Sequence, residues 1–273
     1  MRIAISTGGG DAPGLNAVIR AAVLSAITRG WDVLGICRGY YGLLGEDDII
    51  PLTRDSVRGI AHLGGTILRT TNRGNPFEFP VRQADGSFLE VDRSKEIFEN
   101  AERLGIDAVL TIGGDGSLTI GQRLFERGMK IVGVPKTIDN DVSHTITTFG
   151  FDTAVNTAIE AIDKLHTTAE SHDRVIVMEV MGRHAGFIAL HAGVAGTADV
   201  ILIPEIPFDI EKVCAKVRAR DRAGRQFSII VVAEGAYPVG GQESVLGESL
   251  PGQAKRVGGI AGRIAWEIQN RTG

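Results

Sequence analysis

Two glycine-rich turns, Gly8-Gly9-Gly10-Asp11-Ala12-Pro13-Gly14 and Gly113-Gly114-Asp115-Gly116-Ser117, have the composition of phosphate-binding loops. Each follows a short β-branched run and opens a helical pattern. Glycines let backbone N–H groups approach an anion, and the N-terminus of the following helix adds its dipole. Pro13 suits the first helical position, where its missing N–H has no bond to lose. Asp115 is the only carboxylate of its turn, where Mg²⁺ on a phosphate chain needs an oxygen ligand. Neither turn continues into Gly-Lys-Ser/Thr, so neither is a Walker A loop. The second turn also fits other nucleotide-using kinases, and each reads equally as a strand-to-helix turn with Asp11 or Asp115 as cap.

A third segment, Pro135-Lys136-Thr137-Ile138-Asp139-Asn140-Asp141, begins where the run Ile131 to Val134 ends. Ligands of open α/β sheets sit at that carboxyl edge. If the segment is extended, Thr137, Asp139 and Asp141 share one face. Two carboxylates on one face repel each other, so a purely structural role favours Asn or Ser there. The chemical reading gives one aspartate proton abstraction and the other its support. The alternative is an Asx-turn with a capping aspartate.

The elements that must position these residues alternate along the chain. Apolar runs at 3–5, 33–36, 108–112, 131–134, 175–180, 200–203 and 228–232 read as strands. Helical patterns cover 13–29, 94–104, 117–127, 153–169, 184–194, 210–220 and 258–270. Runs such as Ile229-Ile230-Val231-Val232 are apolar on both faces, as strands covered by helices must be. The fold class is α/β with mostly parallel sheets. A boundary near Phe149 to Asp152 divides the chain into domains of residues 1–150 and 151–273. Residues 70 to 92 lack periodicity and read as a long excursion reaching over the site. His184 and His191 read as helix and core residues.

Composition bounds the rest. The chain has 273 residues, 43% hydrophobic and 23% charged, which excludes a disordered tail. A formal net charge of -4 argues against nonspecific nucleic-acid binding. Cys37 and Cys214 lack metal-ligand spacing and read as buried small hydrophobes in a reducing compartment. No apolar run is long enough to span a bilayer, and no signal-peptide pattern follows Met1-Arg2, so a cytoplasmic location is expected.

The first turn, Gly-Gly-Asp-Gly-Ser, Pro-Lys-Thr-Ile-Asp-Asn-Asp, Ser171-His172-Asp173-Arg174 and Glu179-Val180-Met181-Gly182-Arg183 occur in order. Together they resemble the 6-phosphofructokinase family along essentially the whole chain. The resemblance implies two Rossmann-like three-layer domains, one for the phosphoryl donor and one for the sugar phosphate. It implies Mg²⁺-dependent transfer of the γ-phosphoryl of ATP to the 1-hydroxyl of fructose 6-phosphate, a glycolytic step. Asp139 then resembles the base, flanked by Thr137 and Asp141, with Arg183 also catalytic. Asp115 would hold Mg²⁺, while Gly10, Gly114, Gly116 and Ser117 would line the donor phosphates. Arg73 would neutralise the transferring group, and Tyr40 would pack on adenine. Met181, Gly182, Arg183 and Glu234 would line the sugar pocket. Arg174 would reach the 6-phosphate of a neighbouring subunit's substrate in a homodimer or homotetramer with shared sites.

The family includes pyrophosphate users, and two residues bear on the donor. Gly116 leaves room for the rest of a nucleotide, where pyrophosphate users tend to carry a second Asp. Lys136 points the other way. Excluded bulk discriminates more strongly than an added cation, so ATP is the expected donor. A pyrophosphate-dependent enzyme or a catalytically silent nucleotide-binding homologue are the alternatives. The family usually continues past the helix ending near Asn270 into a His-Ile-Gln-Arg-Gly-Gly segment that grips the sugar phosphate. On this resemblance the sequence looks incomplete at its C-terminus. Leu24 and His166 stand where basic residues would bind an anionic effector.

Overall fold

The computed structural model describes residues 1–45, 48–71, 74–247 and 256–272. The chain divides into two compact units. The first holds residues 1–137 and 142–150, and the second holds the described residues of 138–141 and from 151 onward.

The first unit opens with β1 (Arg2–Gly8), α1 (Leu15–Thr28), β2 (Asp32–Ile36), a 3-10 turn (Gly39–Leu44) and β3 (Ile49–Pro51). It continues with β4 (Phe79–Arg82), β5 (Phe88–Val91), α2 (Ser94–Arg103), β6 (Ala108–Gly113), α3 (Asp115–Glu126), β7 (Ile131–Thr137) and β8 (Phe149–Gly150). The main sheet runs β3-β2-β1-β6-β7-β8, parallel except for β3. Successive side chains of β1 feed opposite faces. Ile5 joins Leu15, Ile19 and Val23 of α1, while Ala4 joins Ile97 of α2 and Leu124 of α3. Three layers result. Because β2 and β6 flank β1 on opposite sides, the order reverses between β1 and β6, the position where such sheets bind ligands.

The second unit contains α4 (Phe151–Ser171), β9 (Val175–Val180), α5 (Phe187–Ala195), β10 (Val200–Leu202), α6 (Ile210–Arg222), β11 (Ser228–Ala233) and α7 (Ile260–Thr272). Its parallel sheet runs β10-β11-β9. Every residue of β11 is buried, as its two-faced apolar run requires. Ile229 and Val231 pack with α4 and α5, whereas Ile230 and Val232 pack with α6 and α7. Each such aliphatic side chain contributes about 1.5–3 kcal/mol on full burial.

Several local expectations change. α1 starts at Leu15 after Gly14 at φ 95, so Pro13 precedes the helix instead of opening it. α3 starts at Asp115, which places Gly116 and Ser117 inside its first turn. Residues 79–91 form an antiparallel hairpin, whose strands of four residues each are too short to show a periodicity. α5 starts at Phe187, so His184 lies in the preceding turn. Both His184 and His191 are exposed, and neither is a core residue. His166 contacts the Gly196 carbonyl at 2.9 Å, and Leu24 packs against the first core.

Candidate functional site

In the first unit the carboxyl ends of β1, β6 and β7 come together. Gly8 of β1 pairs with Gly113 of β6, and Gly113 in turn with Pro135 of β7. The first turn of α3 lies across the two glycines. A Cβ on Gly113 would run into the Cβ of Ser117 and lie 2.9 Å from its Oγ. A methyl group there must push α3 off the sheet. Gly113→Ala is therefore expected to destabilise the unit by about 1–3 kcal/mol through overpacking, read as a lower midpoint in denaturant. Ser117 thus has a packing role in addition to any phosphate contact.

Asp115 is the first residue of α3, exposed, beside the helix N-terminus. Among the described residues no hydrogen bond or ion pair occupies its carboxylate, so the capping alternative is not realised. Asp11 likewise makes no cap at α1, whose N-cap is Gly14. Gly116 is exposed, and a Cβ on it meets nothing within 4 Å. Gly114 faces β7, where a Cβ would stand 3.5 Å from the Lys136 carbonyl and 3.7 Å from Thr137 Cβ. Gly10 is exposed, also with open space around it. Lys136 is buried, and its Nζ donates to the Gly10 carbonyl. One ammonium thus ties the first glycine turn to β7 across 126 sequence positions.

β7 runs on through Thr137, whose carbonyl accepts from Thr148 Oγ1 at 2.7 Å. The strand stops there, and Asn140 takes the left-handed conformation at φ 55. The segment is therefore not extended, and the expected common face of Thr137, Asp139 and Asp141 does not form. Asp139 is only 8% exposed, whereas Asp141 is exposed, so the two carboxylates occupy different surroundings. Residues 138–141 belong to the second unit.

Tyr40 does not offer a ring face to a ligand. It is buried among Ile36, Leu43 and Leu124, and its hydroxyl lies 2.7 Å from Thr111 Oγ1. Burial pushes its phenol up to about 12. A 3-10 turn rotates successive residues by about 120°, so Tyr40 points inward while Tyr41 is exposed. Arg73 lies outside the described residues.

In the second unit the ends of β9 and β11 present the remaining candidates. Met181 and Arg183 are exposed, and Gly182 is buried between them. Glu234 Oε1 accepts from the N–H groups of Gly182 at 3.2 Å and Arg183 at 2.9 Å. One oxygen of Glu234 is thus engaged by backbone, a bond that motif reading does not anticipate. Glu179 caps α7, accepting from Gly259 and Ala261 at 2.8 and 2.9 Å. Sequence capping signals are local, so a cap reaching 80 positions leaves none. Arg174 is exposed after Asp173 at φ 51.

No group of three His, Cys, Asp or Glu side chains among the described residues forms a metal cluster. The exposed Asp115 carboxylate fits a cation whose other ligands are phosphate oxygens and water. No helix among the described residues is long and apolar enough to cross a membrane.

The phosphofructokinase family matches residues 2–273. The ATP-dependent 6-phosphofructokinase of Chloroflexus aggregans is 54% identical over 272 residues, covering 100% of this chain and 74% of that protein. The pyrophosphate–fructose 6-phosphate 1-phosphotransferase of Streptomyces coelicolor is 50% identical over 276 residues, covering 100% of this chain and 77% of that protein. Among solved structures, Pichia pastoris phosphofructokinase in the T-state aligns with TM-score 0.77 and 35% identity. That alignment covers 87% of this chain and 26% of the Pichia chain.

Proposed function

The chain belongs to the phosphofructokinase family, and we propose that it moves the γ-phosphoryl of ATP to the 1-hydroxyl of fructose 6-phosphate, giving fructose 1,6-bisphosphate in glycolysis. Residues 1–150 serve the phosphoryl donor and residues 151–273 the sugar phosphate. The observation that carries the donor half is the exposed Asp115 carboxylate at the α3 N-terminus, where the sheet order reverses.

Phosphoryl transfer depends chiefly on positioning and on neutralising charge. Asp115 would hold Mg²⁺, which when bound would supply charge neutralisation. The backbone at Gly10 and Gly114 to Ser117 lines the phosphates, and Arg73 adds a cation. Asp139 takes the proton from the sugar hydroxyl as its oxygen bonds to the γ-phosphorus and the bond to the β–γ bridging oxygen breaks, ADP leaving with that electron pair, while Thr137 and Asp141 flank it. Met181, Gly182, Arg183 and the second oxygen of Glu234 line the sugar. Arg174 serves the 6-phosphate of a neighbouring subunit's substrate, in a cytoplasmic homodimer or homotetramer.

Gly116 supports ATP, because it puts no side chain in the way of a nucleotide and even a Cβ on it would meet nothing within 4 Å. The competing reading is pyrophosphate, supported by the buried Lys136 and by a relative that uses that donor. A coupled assay with both donors discriminates them. Turnover should be faster with ATP. Much faster turnover with pyrophosphate would reverse the donor, and nucleotide binding without turnover would leave a silent homologue.

A further inference from the structure

The turn between β9 and α5 is backed by three carboxylates from two other segments. Glu234, past β11, accepts from the N–H groups of Gly182 and Arg183. Glu243 Oε1 lies 2.8 Å from His184 Nδ1. Glu205, between β10 and α6, accepts from the Gly186 N–H at 2.7 Å, immediately before α5. The turn holds the non-glycine Arg183 in the left-handed region at φ 50, next to Gly182 at φ 143. A Cβ on Gly235 would collide with the Arg183 carbonyl, so the loop leaving β11 lies directly on the turn. Gly186 is equally confined, because a Cβ there would stand 2.5 Å from Ile203 Cβ and 2.6 Å from Glu205 Oε2. Such backbone conformations persist only where the surroundings over-determine them. The Arg183 guanidinium has no hydrogen bond or ion pair among the described residues, even though its own backbone N–H is held by a carboxylate.

We propose that Glu205 is a positioning residue for acceptor binding: by holding the Gly186 N–H it fixes the far end of the turn whose near end Glu234 holds, and so aims Arg183 at the phosphorylated acceptor. This rests on the reading of Met181 to Arg183 as the sugar-phosphate site. A carboxylate at the α5 N-terminus also matches the helix dipole. Glu205 is itself exposed, so its replacement leaves the core packing untouched.

The test compares Glu205→Ala, Glu205→Gln and Arg183→Ala in the full chain, with kinetics for both substrates and calorimetric binding of fructose 6-phosphate. Losing a hydrogen bond to a charged acceptor should weaken fructose 6-phosphate about tenfold in Glu205→Ala, with kcat and the ATP KM nearly unchanged. Glu205→Gln should recover most of the affinity, because its amide oxygen still accepts from Gly186. If Arg183→Ala weakens the acceptor and Glu205→Ala does not, the positioning role is overturned while the site reading stands. Equal loss of ATP and acceptor affinity in Glu205→Ala overturns it too, since that pattern reports general destabilisation. Should Arg183→Ala leave acceptor affinity intact, the site reading fails and the role of Glu205 falls with it.

Discussion

Asp139→Ser is expected to lower turnover by about 100- to 10,000-fold, the range associated with losing a general base, while leaving the KM for ATP nearly unchanged. The asymmetry follows from where the residue acts. A base that accepts the sugar proton works in the chemical step, so its loss falls on kcat instead of on ground-state binding. The two aspartates that motif reading leaves close together differ in exposure. Asp139 is 8% exposed, whereas Asp141 is exposed beyond the left-handed Asn140. Serine keeps a small polar group at the buried position, so the loss of rate should come without unfolding. Steady-state kinetics with a thermal melt check both points. A parallel loss of nucleotide affinity would remove Asp139 from the role of base.

The second large effect is expected from Gly116→Asp, which should abolish ATP use and spare pyrophosphate binding. The new side chain has room, because a Cβ at Gly116 meets no atom within 4 Å. It also falls in the first turn of α3, where a carboxylate complements the helix dipole. The fold should therefore tolerate it. The carboxylate would then oppose the donor α-phosphate by charge and bulk, and an unpaired repulsion of this kind discriminates strongly between ligands. Pyrophosphate has no third phosphate to place there. An unchanged ATP rate in the folded variant would defeat this account of donor choice.

The sequence by itself determined the layered α/β plan, because that plan rests on local periodicity. Alternation along β11 requires apolar residues at every position once helices cover both faces, and Ile229 to Val232 satisfy this in any register. The glycine turns were legible for the same reason, since their chemistry lies within a few consecutive residues. What depended on tertiary structure was the direction and the partners of individual side chains. Tyr40 and Tyr41 are adjacent and chemically identical, and only the packing of the 3-10 turn against Thr111 sends the first inward. The common face expected for Thr137, Asp139 and Asp141 failed because the strand ends at Thr137, a point fixed by pairing with β8 and by the left-handed Asn140. Lys136 reaches Gly10, Glu234 holds Gly182 and Arg183, and Glu179 caps α7 across separations of 126, 52 or 51, and 80 or 82 residues. Hydrogen bonds of that kind leave no trace in spacing, because the donor and acceptor meet only after hydrophobic burial has brought distant strand ends together.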